Sequence, residues 1–303
     1  MKWKSLPIVA FDTETTGLEP FGGDRIIEFA AVVLTLGPDG RVAERTDHSF
    51  LINPERQIPR KVTEITGISE ADVADAPPFA DVAEQIHSLF GDTLTVAHNY
   101  PFDMGFLSSE FERTGRHWPE PLAEIDTVDL SMKVFKDARS HKLSDLSDRL
   151  DVRLERAHRA TDDAAACGYA FAEVMRRHAE GVGDDLQSLL DWCGAIGKPP
   201  EGGPIGPDVH GRVVFREGPH TGDPVSHHPI HLAWMDKAKV YRQGTWQWRY
   251  PESVRRWASR YLEVRGAGRA RQNPKSFGVG DWAIDSCLAR PTQSLLRHDR
   301  PRA

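Results

Sequence analysis

Acidic side chains occur at four separated points of the sequence, each at the end of a predicted strand or the start of a predicted helix. Asp12 and Glu14 follow a short apolar run, and strand alternation places residues two apart on the same face. Asp103 opens a predicted helix after a short strand, and Asp163 lies in the first turn of a later helix. Mg²⁺ and Mn²⁺ prefer such oxygen ligands. The four acids therefore predict a site for two divalent cations about 3.5–4 Å apart, which suits displacement at a phosphodiester.

Each acid also has a structural alternative when it is taken alone. Asp12 and Glu14 could be solvated acids in a turn at the end of their strand. Asp103 could complement the dipole of its helix. Thr161 or Asp162 could cap the helix that contains Asp163. His158 precedes that helix on a predicted loop, and a neutral imidazole near pH 7 can accept a proton from water. The combination of four acids and one histidine favours metal-assisted hydrolysis over separate structural roles.

The elements that would position these residues follow from the hydrophobic pattern. Apolar runs over residues 7–11, 26–36 and 42–52 predict a three-stranded antiparallel meander, with a turn at residues 37–40. Helical periodicity follows around one short strand at residues 94–97. The predicted helices cover residues 79–90, 102–113, 127–135, 143–150, 164–178 and 184–193. Strands followed by alternating helices and strands predict an α/β fold, with a mixed sheet flanked by helices.

The charge of the chain is unevenly distributed. The 303 residues carry 38 Lys and Arg against 45 Asp and Glu, a formal net charge of −7. Residues 1–180 contain 20 basic and 32 acidic side chains, whereas residues 181–303 contain 18 basic and 13 acidic ones. Opposite net charges in two parts of a chain predict two modules with different tasks. A net negative charge therefore does not exclude a nucleic-acid partner.

Other protein classes are excluded by the sequence. Cys167, Cys193 and Cys287 are odd in number and widely spaced, which fits neither a disulfide framework nor a cysteine-rich zinc site. No secretory leader precedes Asp12, and no run approaches the roughly 18 apolar residues of a membrane helix. We therefore expect a cytoplasmic protein without a membrane partner.

Three motifs resemble those of a known family. Residues 11–18, Phe-Asp-Thr-Glu-Thr-Thr-Gly-Leu, resemble the first motif of the DEDDh 3′–5′ exonucleases, the DnaQ-like family. Residues 98–103 resemble the second motif, and residues 158–164 resemble the third, in which four residues separate the histidine from the ligand aspartate. That spacing selects Asp163. The resemblance covers residues 6–178, with the motifs in the family's order.

The resemblance implies a fold and a role for each of these residues. The fold would be ribonuclease H-like, with a five-stranded mixed sheet and helices on both faces. Asp12, Glu14 and Asp163 would hold the metal ion that activates water. Asp12 would bridge to a second ion, which Asp103 would reach mainly through water. His158 would be the general base.

The resemblance also implies five substrate-binding residues: Thr15, Leu18, Thr66, His98 and Asn99. The backbone near Thr15 and the side chain of Leu18 would meet the terminal nucleotide. Thr66 belongs to a segment, residues 62–69, that would lie near the 3′ nucleotide. His98 and Asn99 would either contact the substrate or hydrogen-bond the end of their strand.

The chain beyond the motifs predicts a second, basic module. We expect an exonuclease domain at residues 1–193, a Gly/Pro-rich linker at 194–211, a small α+β module at 212–284 and a disordered tail at 285–303. Between residues 234 and 275, eleven basic side chains face three acidic ones. Basic and aromatic residues together suit single-stranded nucleic acid, where cations bind phosphates and rings stack on bases.

The aromatic residues of this module divide into two predicted groups. Trp234, Trp257 and Tyr261 have helical spacing that favours a place in the core. Trp246 and Trp248, with Arg249, are in a polar segment predicted to be a turn and are the candidate nucleic-acid contacts.

The module weakly resembles one that is appended to exonuclease X-type enzymes. Pro219 and Thr221 stand where that module has basic residues. Four histidines follow in the same region: His220, His227, His228 and His231. We expect no metal site there, because the sequence places no cysteine or acid at ligand spacing beside them.

The combined patterns predict a 3′–5′ exonuclease that releases nucleoside 5′-monophosphates from single-stranded DNA ends. Three alternatives share the same sequence features: a proofreading subunit of a DNA polymerase, an RNA-trimming exoribonuclease, and a non-catalytic protein that binds nucleic acid or a protein partner. The expected partners are therefore single-stranded DNA or RNA 3′ ends, with a DNA polymerase or a repair complex as a further candidate.

Overall fold

The computed structural model describes most of the chain up to residue 272. The described ranges are residues 1–116, 119, 121–153, 159–208, 213–225, 228–242 and 245–272. His158, the predicted general base, and His227 lie outside the described residues, as does the predicted tail at residues 285–303.

The predicted antiparallel meander is confirmed. Strands β1 (Ile8–Thr15), β2 (Ile26–Leu36) and β3 (Val42–Leu51) pair in sequence order. β1 is longer than its apolar run predicts, because alternation continues past Phe11 with Thr13 and Thr15 buried. The extra residues carry the first acidic motif within the sheet.

The central sheet is mixed, as predicted. Strand β4 (Leu94–Ala97) runs parallel to β1, and β5 (Ala123–Asp126) runs parallel to β4. A two-residue strand, β6 (Ile196–Gly197), adds an antiparallel edge, so that the order is β3-β2-β1-β4-β5-β6. The five-stranded sheet implied by the resemblance is thus joined by a short sixth strand, which comes from the segment expected to be a linker.

Helices cover both faces of the sheet. They are α1 (Arg60–Thr66), α2 (Glu70–Val73), α3 (Phe79–Ser88), α4 (Tyr100–Arg113), α5 (Thr127–Val134), α6 (Leu143–Leu150), α7 (Ala160–Arg177), α8 (Ala179–Val182) and α9 (Leu186–Cys193). One core, which includes Ile8, Ala10 and Phe171, lies between the sheet and α7. The other, which includes Phe11 and Phe106, lies between the sheet and α3 and α4. Strand alternation sends neighbouring β1 residues into opposite cores.

The C-terminal module has its own small core. Strands β7 (Ile205–Pro207) and β8 (Val213–Phe215) pair, followed by α10 (Pro229–Lys237), the hairpin of β9 (Lys239–Arg242) and β10 (Thr245–Trp248), and α11 (Glu252–Gln272). Trp257 and Tyr261 stack with ring centroids 4.9 Å apart inside this core, as predicted. The prediction for Trp234 was wrong, since its side chain is 41% exposed.

The segment predicted as a linker, residues 194–211, contains β6 and β7 and is therefore partly regular structure. The module is joined to the exonuclease part near it, because Trp257 Nε1 donates to Gly197 O at 2.7 Å. Arg260 also lies 3.8 Å from Asp129. The boundaries of the two domains stay a prediction.

Among the described residues, no helix combines the length and hydropathy that a membrane crossing requires.

Candidate active site

The first pair of acids lies on the face of β1 that α7 covers. Ile8 and Ala10 pack towards α7, and alternation continues that face with Asp12 and Glu14. Both acids are half-buried, whereas Thr13 between them is buried on the opposite face. The strand thus presents two carboxylates side by side at its carboxyl end.

Helix α7 brings the third acid to the same place. Asp163 lies in its first turn, and its carboxylate lies with those of Asp12 and Glu14 in a group whose ligand atoms are all within 4.8 Å of one another. Gly168 allows the close approach, because a Cβ there would stand 2.8 Å from the Cβ of Ala10. We call Asp12, Glu14 and Asp163 the acidic cluster.

Asp103 enters from the other face of the sheet, in the first turn of α4. Its side chain is 1% exposed, and Oδ1 accepts hydrogen bonds from Thr13 N at 2.9 Å and Thr13 Oγ1 at 2.7 Å. Its second oxygen, Oδ2, is buried and accepts no hydrogen bond from any described residue. A buried carboxylate oxygen without a donor is costly, so an acid that served only the helix dipole would not be placed this way.

The electrostatics of the site call for positive charge. Burial raises the pKa of Asp12 well above its usual range, and repulsion from Asp103, Asp163 and Glu14 adds to the effect. Burial, followed by repulsion from Asp163, raises the pKa of Glu14 to about 8. Burial likewise raises the pKa of Asp103 to about 7. Four acids that repel one another in this way form a donor set that fits a divalent cation, which would remove the repulsion.

A fifth acid was missed by the sequence analysis. Glu28 lies opposite Glu14 on β2 and is 1% exposed. It accepts hydrogen bonds from Arg159 at 3.0 Å and from Ala160 N at 3.2 Å. The available signal was its position, because it is a lone charge within an apolar strand and a buried charge needs a partner. Glu28 fixes the start of α7 and therefore the position of Asp163.

The predicted substrate residues near β1 and α1 differ in their exposure and in their hydrogen bonds. Thr15 Oγ1 donates to Gly17 O at 2.6 Å, and this hydrogen bond stabilises the turn after β1. Leu18 is 63% exposed beyond that turn. Thr66 is buried, and its hydroxyl donates to Val62 O at 3.0 Å. Their contacts with a nucleotide stay predictions.

Both residues that follow β4 form hydrogen bonds at the junction of β5 and α5, and their contacts with substrate stay a prediction. His98 Nδ1 lies 2.9 Å from Thr127 Oγ1. Asn99 adopts a left-handed backbone conformation, with φ of 65°, and its N–H donates to Asp126 Oδ1 at 3.0 Å. The side-chain oxygen of Asn99 is buried and accepts no hydrogen bond from a described residue.

The aromatic candidates of the C-terminal module lie on a strand rather than in the predicted turn. Trp246 and Trp248 are two residues apart on β10 and are 67% and 48% exposed. Arg249 follows, 5.4 Å above the ring of Trp234. The structure adds Tyr241, which is opposite Trp246 on β9 with ring centroids 5.5 Å apart.

The mixed sheet and the acids at the end of β1 define the class of the protein as a ribonuclease H-like nuclease fold. Zinc-bound E. coli exonuclease I with single-stranded DNA has a similar fold, with a TM-score of 0.52 at 21% identity over 62% of this chain and 43% of that one. A family model described as Exonuclease, RNase_T, matches residues 9–171. The chain belongs to this family of DEDDh exonucleases.

Two curated relatives each match more than half of the chain. The 3′-5′ exonuclease DinG of Bacillus subtilis (strain 168) is 40% identical over 197 residues, which is 60% of this chain and 20% of the relative. A DNA polymerase III subunit epsilon-like protein of Rhodobacter capsulatus is 40% identical over 172 residues, 56% of this chain and 24% of that protein. The chain thus spans about a quarter or less of the length of these two relatives.

Proposed function

We propose that the protein is a 3′–5′ exonuclease that hydrolyses single-stranded DNA ends to nucleoside 5′-monophosphates, using two divalent cations, Mg²⁺ or Mn²⁺. The observation that carries the proposal is the acidic cluster, Asp12, Glu14 and Asp163, beside the buried Asp103. Divalent cations at such a site activate water and stabilise the charge that develops on the phosphate oxygens.

The acids have different tasks in this proposal. The acidic cluster would hold one ion, which would supply the activation of water, and Asp12 would also contribute to holding a second ion. Asp103 has one oxygen committed to Thr13, which fixes its orientation, and its other oxygen is available to a water molecule of the second ion. Thr13 is therefore a positioning residue within the first motif.

The proposed general base is His158. Its sequence neighbour, Arg159, donates a side-chain hydrogen bond to Glu28. Glu28 is the residue of β2 that lies opposite Glu14 of β1 in the sheet. His158 directly precedes Arg159 in the sequence, and the third motif puts both residues next to the start of α7. That supports a role for His158 in taking the proton of the attacking water.

DNA is the proposed substrate because one of the two relatives is named as a DNA polymerase III subunit epsilon-like protein. The same name supports a second candidate, a proofreading function within a polymerase or repair complex. We retain the cytoplasmic location expected from the cysteine pattern, since Cys167 and Cys193 are both buried free thiols.

The β9–β10 hairpin is the proposed binding site for single-stranded DNA. Trp246 and Tyr241 form an exposed ring pair, on which unpaired bases can stack. Trp248 lies beside two cations, with Lys239 Nζ 4.4 Å and Arg255 Cζ 3.9 Å from its ring. Cations next to exposed rings suit a strand of alternating phosphates and bases.

A side-by-side digestion tests the substrate assignment. The full chain is incubated with matched DNA and RNA strands, single-stranded or ending in a mismatched pair, with Mg²⁺ or Mn²⁺. We expect stepwise loss from the 3′ end of single-stranded DNA, 5′-monophosphates as products, and no activity after chelation. Preference for RNA would overturn the DNA assignment, and preference for the mismatched duplex end would favour proofreading.

A further inference from the structure

The C-terminal module contains a second group of metal-ligand side chains, far from the acids in the sequence. His220 and Asp223 lie in the turns after β8, and His228 lies directly before α10. Their ligand atoms are all within 4.8 Å of one another. His228 Nε2 lies 2.9 Å from Asp223 Oδ2, and His220 Nδ1 lies 4.0 Å from the same oxygen. We call these three residues the histidine cluster.

The expectation that no acid accompanies these histidines was wrong. Asp223 is three residues after His220 and five before His228, and the fold brings its carboxylate to both rings. The backbone fixes this arrangement, because Phe215 N donates to Asp223 O at 3.0 Å and Gly222 N donates to Phe215 O at 2.8 Å. The carboxylate is therefore held against the end of β8.

The rings of the cluster are packed against one another and against the end of β8. His220 and His228 stack with centroids 3.7 Å apart, and His231 meets His220 edge-on at 4.8 Å. Phe215 forms an apolar wall against these rings. This packing keeps both imidazoles of the cluster beside the carboxylate of Asp223.

We propose that His220, Asp223 and His228 bind one Zn²⁺ ion. Two imidazoles and one carboxylate suit zinc, whereas Mg²⁺ prefers oxygen ligands. With bonds of about 2.0–2.1 Å, tetrahedral ligand atoms are about 3.3 Å apart. Asp223 and His228 are already slightly closer than that, so the main adjustment is a turn of His220 away from its stacked partner. His231 stands beside the cluster as a further imidazole.

The ion would stabilise the fold of the C-terminal module. The histidine cluster joins the end of β8 to the start of α10, and Phe215 and Leu232, which belong to these elements, are both in the module's small core. Small cores of this kind gain stability from a metal, because the ion binds the folded form alone. The site is independent of catalysis, since it shares no residue with the acidic cluster.

Zinc binding by the full chain tests the proposal. Asp12→Asn and Glu14→Gln are introduced first, so that the acidic cluster does not bind the added ion. Equilibrium dialysis with excess Mg²⁺ should give one Zn²⁺ per chain, and Co²⁺ should give the intense visible absorption of a tetrahedral site. Adding His228→Asn should weaken Zn²⁺ binding at least about tenfold and remove the Co²⁺ signal.

Two further variants keep the result interpretable. Asp223→Asn retains a side chain of the same shape and tests the cluster if the histidine variant does not fold. His48→Gln, on β3 and outside the cluster, is the matched control and should bind Zn²⁺ like the parent. Failure of the parent to bind one Zn²⁺, or unchanged binding after the cluster substitutions, would overturn the proposal.

Discussion

The acidic cluster and the histidine cluster bring metal-ligand side chains together in two different ways. The acidic cluster joins residues 12, 14 and 163, and it depends on a sheet, a helix and the close approach at Gly168. The histidine cluster joins residues 220, 223 and 228 within one connection of the chain. The carboxylates of the acidic cluster repel one another and need a rigid frame, whereas one short connection brings two stacked rings and a carboxylate together.

The largest expected effect separates two neighbouring acids in α7. Asp163→Asn should lower the turnover of single-stranded DNA about 10³-fold or more, because it removes a donor of the acidic cluster. Asp162→Asn is the matched control and should leave turnover within about twofold, since Asp162 is outside the cluster. Single-turnover digestion of 3′-labelled DNA measures both. Equal losses in the two variants would show that the substitutions disturb the start of α7, and that the loss is not due to the missing metal ligand.

The next effect concerns the anchor of α7. Arg159→Ala should lower kcat about 10- to 100-fold with little change in KM, because Glu28 then keeps only its bond to Ala160 N and holds the segment next to His158 less firmly. Arg159→Lys should recover part of the loss, as one charged hydrogen bond can form again. Steady-state kinetics at several pH values measure kcat and KM for both variants. The pH profile of kcat should be displaced in the alanine variant, because the proposed base is then less well positioned. A change in KM alone would contradict the positioning role.

Burial of the site acids, with repulsion as a smaller contribution, also predicts a pH dependence of stability. The folded pKa values of Glu14, about 8, and Asp103, about 7, are above those of unfolded carboxyl groups. The folded protein therefore binds more protons, so the metal-free protein should lose stability as pH rises from about 4.5 to 8. We expect the Tm to fall by about 5 °C over that window and Mg²⁺ to reduce the fall. A metal-free Tm that rises across this range would contradict the raised pKa values.

The smallest effect belongs to the hairpin. Trp246→Ala should weaken the affinity for single-stranded DNA about tenfold, since one stacked base is worth about 1–3 kcal/mol. Ile230→Ala, at another exposed apolar residue of the module, should have no effect. Fluorescence anisotropy at two salt concentrations measures the difference. Equal affinity of the Trp246 variant and the parent would make the hairpin a structural element or a surface for a protein partner.

Sequence patterns predicted the exonuclease part well because its signals are local. The runs that became β2 and β4 have the bounds predicted for them, and the acids at strand and helix ends were found by alternation and spacing. Glu28 was missed because a single acid in an apolar strand has no periodic signature. β5 was missed because two of its four residues, Glu124 and Asp126, are acidic, so the segment contains no apolar run like that of β4.

The C-terminal module was less predictable because its features depend on tertiary contacts. Trp234 and Trp257 both have helical spacing, but only Trp257 faces the core and Gly197. Two strands formed within the segment expected to be a linker, because each found a partner strand elsewhere. The ligand geometry of Asp223 likewise became visible only when its distances to His220 and His228 were known.

The central claim is that the acidic cluster performs catalysis, and one comparison tests it directly. The full chain and its Asp12→Asn, Glu14→Gln double variant are given 3′-labelled single-stranded DNA with Mg²⁺. We expect the parent to shorten the strand from its 3′ end, the variant to be inactive, and the metal-free variant to be at least as thermally stable as the parent. Full activity in the folded double variant would show that the acidic cluster does not perform catalysis.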